Sequence, residues 1–120
     1  MIATLLRMSR SLNPPLGWVI VRGRSMLPTL RDGDRLLVVR RGRAPRVGDV
    51  VLARFRDGSL VVKRVAEHRP RGWWLLSDNL TEGLADSRAK GAVPDEDVLG
   101  VGVLRVWPRP AWLRRVLPRV

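Results

Sequence analysis

The sequence predicts a mostly β protein, a compact antiparallel β-sheet or barrel, and three observations predict it. Apolar residues recur at every second position in short segments, the period of a strand with one buried face. Turn chemistry separates those segments, at Pro14-Pro15, Asp32-Gly33, Pro45, Asp57-Gly58 and Pro70-Arg71-Gly72. A length of 120 residues with 45% apolar and 28% charged side chains fits one globular domain with a single core, and is too short for large barrels or doubly wound sheets.

Each element follows from its own residues. Residues 1–13 form a leading segment whose apolar stretch before Arg7 is short, and Pro14-Pro15 blocks a helix from continuing out of it. Residues 17–22 alternate as a first strand. Residues 23–30 show neither period and form a turn, closed by Asp32-Gly33 before a second strand at 34–39. A basic loop containing Gly42 and Pro45 leads to strands at 48–55 and 59–65, which flank the hairpin signal Asp57-Gly58 and therefore pair. A strand at 72–77 extends the meander. Residues 78–94 lose periodicity and fill with Asp, Asn, Gly and Ser, the mark of a long functional loop. Residues 98–106 return to strand, with Gly100 and Gly102 suited to a bulge or a close backbone approach. The domain thus covers 14–108, a basic tail 109–120, and short helical segments are expected at the termini.

The formal charge of +12 favours an anionic neighbour, nucleic acid or a membrane surface. Yet 21 of the 23 basic residues are arginines spread along the chain, a global bias rather than a binding patch. Aromatic residues are 5% and never alternate along a strand as base-stacking platforms do, so no specific nucleic-acid partner is expected. With no cysteine and one histidine, the chain offers no disulfide, thiolate metal site, histidine metal cluster or cysteine nucleophile, and no cofactor is implied. No run of 18 apolar residues exists, and residues 1–12 lack the continuous apolar core of a secretory signal. The sequence therefore reads as soluble or membrane-surface.

Two residues stand out chemically. Ser25 follows a glycine just past a strand, in a turn stiffened by Pro28, where its hydroxyl projects from the sheet beside backbone N–H groups; it equally suits capping a short helical turn. A nucleophilic serine needs a base. His68 lies in the polar stretch Glu67-His68-Arg69-Pro70, the setting of a solvent-exposed loop histidine. Lys63 and Arg64 are adjacent on an apolar strand and must face opposite sides of the sheet. Among so many arginines a lysine is informative, because a desolvated ammonium releases its proton whereas a guanidinium does not. A strand lysine lying on the solvated face is the competing reading.

Taken in order, Ser25-Met26-Leu27-Pro28-Thr29, Gly33-Asp34, Gly48-Asp49-Val50, Lys63-Arg64, Ser77-Asp78-Asn79, Asp86-Ser87-Arg88, Gly91-Ala92-Val93-Pro94 and Val98-Leu99-Gly100 resemble the boxes of the signal peptidase I family of serine/lysine endopeptidases. The likeness runs from about Val21 to Trp107. The Trp73-Trp74 strand before Asp78-Asn79, and a short chain without a spanning helix, resemble most the nickel-type superoxide dismutase maturation protease subgroup.

The resemblance implies a β catalytic core with Ser25 as nucleophile and Lys63 as general base. It implies an oxyanion hole from backbone at Ser25, Arg24 and Gly23, and support from Met26, Pro28, Arg64, Asp78, Asn79, Asp86, Ser87 and Arg88, with Arg64–Asp78 and Asp86–Arg88 as ion pairs. The implied partner is a precursor polypeptide, a nickel-type superoxide dismutase precursor cut in the cytoplasm. The tail's own residues, Trp112, Leu113, Val116 and Leu117 among Arg114, Arg115 and Arg119, suit peripheral contact with anionic membrane and equally suit packing on the β core. The alternatives are a truncated signal peptidase, a non-catalytic basic β module binding RNA or anionic lipid, and a self-cleaving repressor of the SOS type, for which the 24 residues before Ser25 leave little room for a DNA-binding domain. Two positions depart from the family: Gly23 stands where some members carry a hydroxyl residue, and Leu84 where many carry a serine that orients the lysine. Thr81 and Ser87 are the substitutes considered for the latter.

Overall fold

A computed structural model describes residues 3–6, 16–40, 44–81 and 86–116. Among them eight strands form one antiparallel sheet: β1 (Ala3–Leu6), β2 (Leu16–Val21), β3 (Arg35–Val39), β4 (Val50–Arg54), β5 (Leu60–Arg69), β6 (Gly72–Leu76), β7 (Val98–Trp107) and β8 (Ala111–Trp112). The spatial order is β1-β2-β3-β7-β4-β5-β6, with β8 pairing on β7. The late strand β7 therefore joins the early β2–β3 hairpin to the β4–β5–β6 meander.

The central strands bury both faces, so their apolar residues run continuously while still dividing by period two. Val50, Leu52 and Val62 join Val19, Val21, Leu36 and Val38 in one cluster, while Val51, Ala53, Val61, Val65 and Leu75 join Val93 and Val101 in another. Gly100 permits the closure around β7, since a Cβ there would meet Val38 Cγ1 at 2.4 Å and the Val39 carbonyl oxygen at 2.8 Å. The register shifts of β7 against β3 and β4 fall in this strand. Asp57-Gly58 turns the β4–β5 hairpin, where Asp57 Oδ1 accepts the Ser59 N–H and hydroxyl at 2.9 and 2.6 Å.

Among the described residues the helical segments sit inside the chain, and the expected terminal ones at 7–13 and 117–120 lie outside the described residues. Helix α1 (Ser87–Lys90) and a 3-10 turn at Asp95–Asp97 interrupt the loop between β6 and β7, whereas residues 3–6 are a strand that pairs with β2. Asp86 explains the position of α1, because its carboxylate accepts the Arg88 N–H as an N-cap. Residues 109–116 lie on the sheet: the Leu113 N–H donates to Val103, the Val116 N–H donates to Gly48, and Arg115 Nε donates to Asp49 Oδ1 at 2.8 Å. Trp112 and Val116 still project outward, and Leu117 and Arg119 lie outside the described residues.

Candidate active site

The turn after β2 places Ser25. Gly23 has φ +86°, a conformation that favours glycine, and lets the chain leave the strand sharply. The Leu27 N–H donates to Arg24 and the Leu30 N–H to Met26, closing a short coil whose Met26 and Leu30 side chains are buried in the first apolar cluster. Asn79 holds the other side, with its N–H donating to the Ser25 carbonyl at 2.9 Å and its Nδ2 to the Arg24 carbonyl at 2.9 Å. Ser25 is thus pinned through its own main chain, and its side chain remains available.

Lys63 reaches that hydroxyl from β5. Its neighbour across β4 is Val51, and it shares its face with Val61 and Val65, members of the second apolar cluster. Lys63 is 0% and Ser25 5% exposed, and Lys63 Nζ lies 2.8 Å from Ser25 Oγ. Burial among valines disfavours an ammonium relative to the neutral amine, and the neutral amine accepts a hydrogen bond from a hydroxyl.

Arg64, on the opposite face, organises the wall behind the turn. It donates from Nε and Nη2 to Asp78 at 3.1 and 2.6 Å, and from Nη1 to the carbonyls of Gly48 and Arg114 at 2.9 and 3.0 Å. Asp78 also accepts the Thr29 hydroxyl at 2.6 Å, which ties this pair to the end of the serine turn. Asp86 forms a second bracket: it accepts the Ser77 N–H at 2.8 Å and pairs with Arg88 at 2.9 Å. Burial pushes the Asp86 carboxyl up, but bonds from Arg88 and from the Ser77 N–H outweigh it and hold the group below its ordinary value. The Ser87 hydroxyl accepts the Leu75 N–H at 2.9 Å, fastening α1 to β6.

Some expected placements differ. The Gly23 N–H is occupied, donating to Asp32 Oδ1 at 2.8 Å, so it does not face a reacting carbonyl. Pro28 is exposed on the outside of the turn. His68 lies on β5 rather than in a loop, because the strand runs on to Arg69; its ring stacks on Trp73 with centroids 4.1 Å apart, away from Lys63. Thr81 is exposed and its hydroxyl donates to Asn79 Oδ1, while Leu84 lies outside the described residues. Thr29 and Asp32 are contacts without an assigned role in the sequence reading. Thr29 stands within the serine box itself, but nothing in sequence spacing pairs it with an aspartate 49 residues later.

An antiparallel β fold of this kind, with its serine box and lysine strand, defines a peptidase of the signal peptidase type. The Peptidase S24-like family model matches residues 3–101, and the chain belongs to that family. It is also 32% identical to Mitochondrial inner membrane protease subunit 1 of Schizosaccharomyces pombe (strain 972 / ATCC 24843), over a 120-residue alignment covering 79% of this chain and 76% of that protein.

Proposed function

We propose that the chain is a serine endopeptidase that uses a Ser25/Lys63 dyad to remove an N-terminal propeptide, with a nickel-type superoxide dismutase precursor as its substrate in the cytoplasm. The observation that carries the reading is the 2.8 Å approach of a fully buried lysine amine to a turn serine. Neutral Lys63 takes the proton of Ser25 Oγ as that oxygen attacks the scissile carbonyl. The Ser25 N–H is the candidate donor to the oxyanion, on a main chain fixed by Asn79. The resulting ammonium returns its proton to the leaving amine, and Lys63, neutral again, then activates water to release the acyl-enzyme.

Substrate choice rests on the Trp73-Trp74 strand preceding Asp78-Asn79, the feature that resembles the maturation subgroup. A signal peptidase acting at a membrane surface is the second reading. It is favoured by the likeness to a protein named an inner membrane protease subunit, and by Trp107 and Trp112, 54% and 74% exposed on an arginine-rich chain. Among the described residues no helix is long and apolar enough to cross a membrane. A non-catalytic basic module would leave the buried amine beside Ser25 without a role.

The test mixes the protein separately with a nickel-type superoxide dismutase precursor and with a secretory precursor ending its signal in Ala-x-Ala, then maps new N-termini by mass spectrometry. Cleavage of the first alone is expected. Cleavage of the second alone, together with flotation on anionic liposomes, selects the membrane reading.

A further inference from the structure

Ser77 Oγ is a buried side-chain oxygen without a hydrogen-bond partner among the described residues. Such a group costs free energy unless something engages it, so its position asks for a function. β5 and β6 pair with Val65 across from Leu75 and Arg64 across from Leu76. Continued one step past Leu76, where β6 ends, that register would set Ser77 across from Lys63. Leu75 lies in the same apolar cluster as Val61 and Val65, so the alternation puts Ser77 on the face that carries Lys63. Side chains directly opposite on neighbouring strands have Cβ atoms about 5 Å apart. Ser77 also stands two residues before Asn79, whose N–H holds the Ser25 carbonyl. Ser77 therefore stands on the face of the sheet from which Lys63 reaches Ser25.

We propose that Ser77 is a positioning residue for Lys63, its hydroxyl oxygen accepting a hydrogen bond from the ammonium formed when Lys63 takes the Ser25 proton. This rests on the dyad reading. During attack the proton passes from Ser25 Oγ to Lys63 Nζ, leaving a cation among Val51, Val61 and Val65. A buried ammonium needs oxygen acceptors, and a χ1 rotation of Ser77 supplies one. Leu75 and Val65, the preceding pair of the register, offer none. Among the described residues, Asp86 accepts the Ser77 N–H and pairs with Arg88, and Asp78 is held by Arg64 on the other face. The Ser77 N–H bond to Asp86 fixes the main chain while leaving the hydroxyl free to turn.

The chain contains only two lysines, so protein carrying 13Cε-lysine gives two signals, and Lys90→Arg identifies that of Lys63. The test titrates that signal in the wild type, Ser77→Ala, Ser77→Gly and Ser77→Thr, alongside the pH profile of kcat/KM on a quenched peptide spanning the cleavage site mapped in whichever precursor the protein cuts. Losing one hydrogen bond to a charged group corresponds to ~10-fold in an equilibrium. The Lys63 midpoint is expected to fall by about one pH unit in Ser77→Ala and Ser77→Gly, with cleavage at the plateau ~10-fold slower, and Ser77→Thr is expected to stay near the wild type. Thermal stability of Ser77→Ala should hold or rise, since an unpartnered oxygen is removed. An unchanged Lys63 midpoint in both hydroxyl-free variants overturns the proposal. Undiminished cleavage by Ser25→Ala overturns the dyad reading instead, and the lysine titration separates the two failures.

Discussion

The two lysines of this chain occupy opposite environments. Lys90, at the end of α1, is 40% exposed and donates to Asp57 Oδ2 at 2.6 Å, an ammonium and a carboxylate meeting in water. Lys63 is wholly buried in β5 and faces a neutral hydroxyl. The first arrangement keeps a cation a cation, and it holds the Asp57 carboxyl below the usual carboxylate range, chiefly through the Lys90 bond. The second favours the uncharged amine, the form able to take a proton. The same side chain is a surface ion pair in one place and a candidate base in the other, and burial with the choice of partner makes the difference.

The strongest way to break that contrast is to swap each amine for a guanidinium. Lys63→Arg keeps positive charge but cannot act as a base, so peptide cleavage should fall by roughly 10²–10⁴-fold. Ser25→Ala should fall at least as far, and Lys90→Arg should remain within roughly twofold of the wild type. Appreciable turnover by Lys63→Arg, measured on any cleaved precursor by mass spectrometry, erases the distinction. The pH profile sharpens it: as Lys63 gives up its proton the rate should climb on a limb below the roughly 10.4 of a free lysine. A rate flat from neutral pH to pH 5 is the contrary result.

Next in size is the contrast between the carboxylates. Asp78→Asn leaves Arg64 buried without its anion, and urea unfolding should show a loss of about 3 kcal/mol. Asp57→Asn breaks an exposed pair and should leave the midpoint in place. If the two variants unfold together, Arg64 is satisfied by the Gly48 and Arg114 carbonyls alone.

How much of this was legible in the sequence divides along the same line. Lys63 and Arg64 are adjacent, and period two alone put them on opposite faces of the sheet. Asp57-Gly58 placed the hairpin because its turn chemistry is local. The insertion of β7 between β3 and β4 was not legible, since pairing over some sixty residues leaves no local trace. The same limit hid Thr29 beneath Asp78, whereas the Asp32 bond to the Gly23 N–H is local and depends on how the turn closes. His68 was misplaced for a different reason: a polar tetrapeptide ending in proline reads as a turn, but the stack on Trp73 belongs to a strand pair that continues to Gly72. The unpartnered Ser77 oxygen is a property of packing that no spacing reveals.

The smallest expected effect sets the two depressed carboxyls against each other in acid. Asp86 and Asp57 both stand below their ordinary values in the folded chain, so each contributes stability that is fully present above about pH 3.9 and is lost as pH falls through the folded value. Their surroundings differ: the Asp86 side chain is 0% exposed and fastens Ser77, Arg88 and the start of α1, whereas Asp57 is 44% exposed in a hairpin turn. Salt screens the exposed pair and hardly reaches the buried one. Thermal unfolding between pH 6 and pH 2 should therefore show the gap between wild type and Asp86→Asn closing below about pH 4 at both low and high salt. The gap for Asp57→Asn should be small at low salt and vanish in 0.5 M NaCl, where the screening length is roughly half its physiological value and weakens what little attraction the exposed pair has. A salt-sensitive Asp86 gap would mean that its bracket opens to water, and the wall beside Ser77 would then be a mobile one.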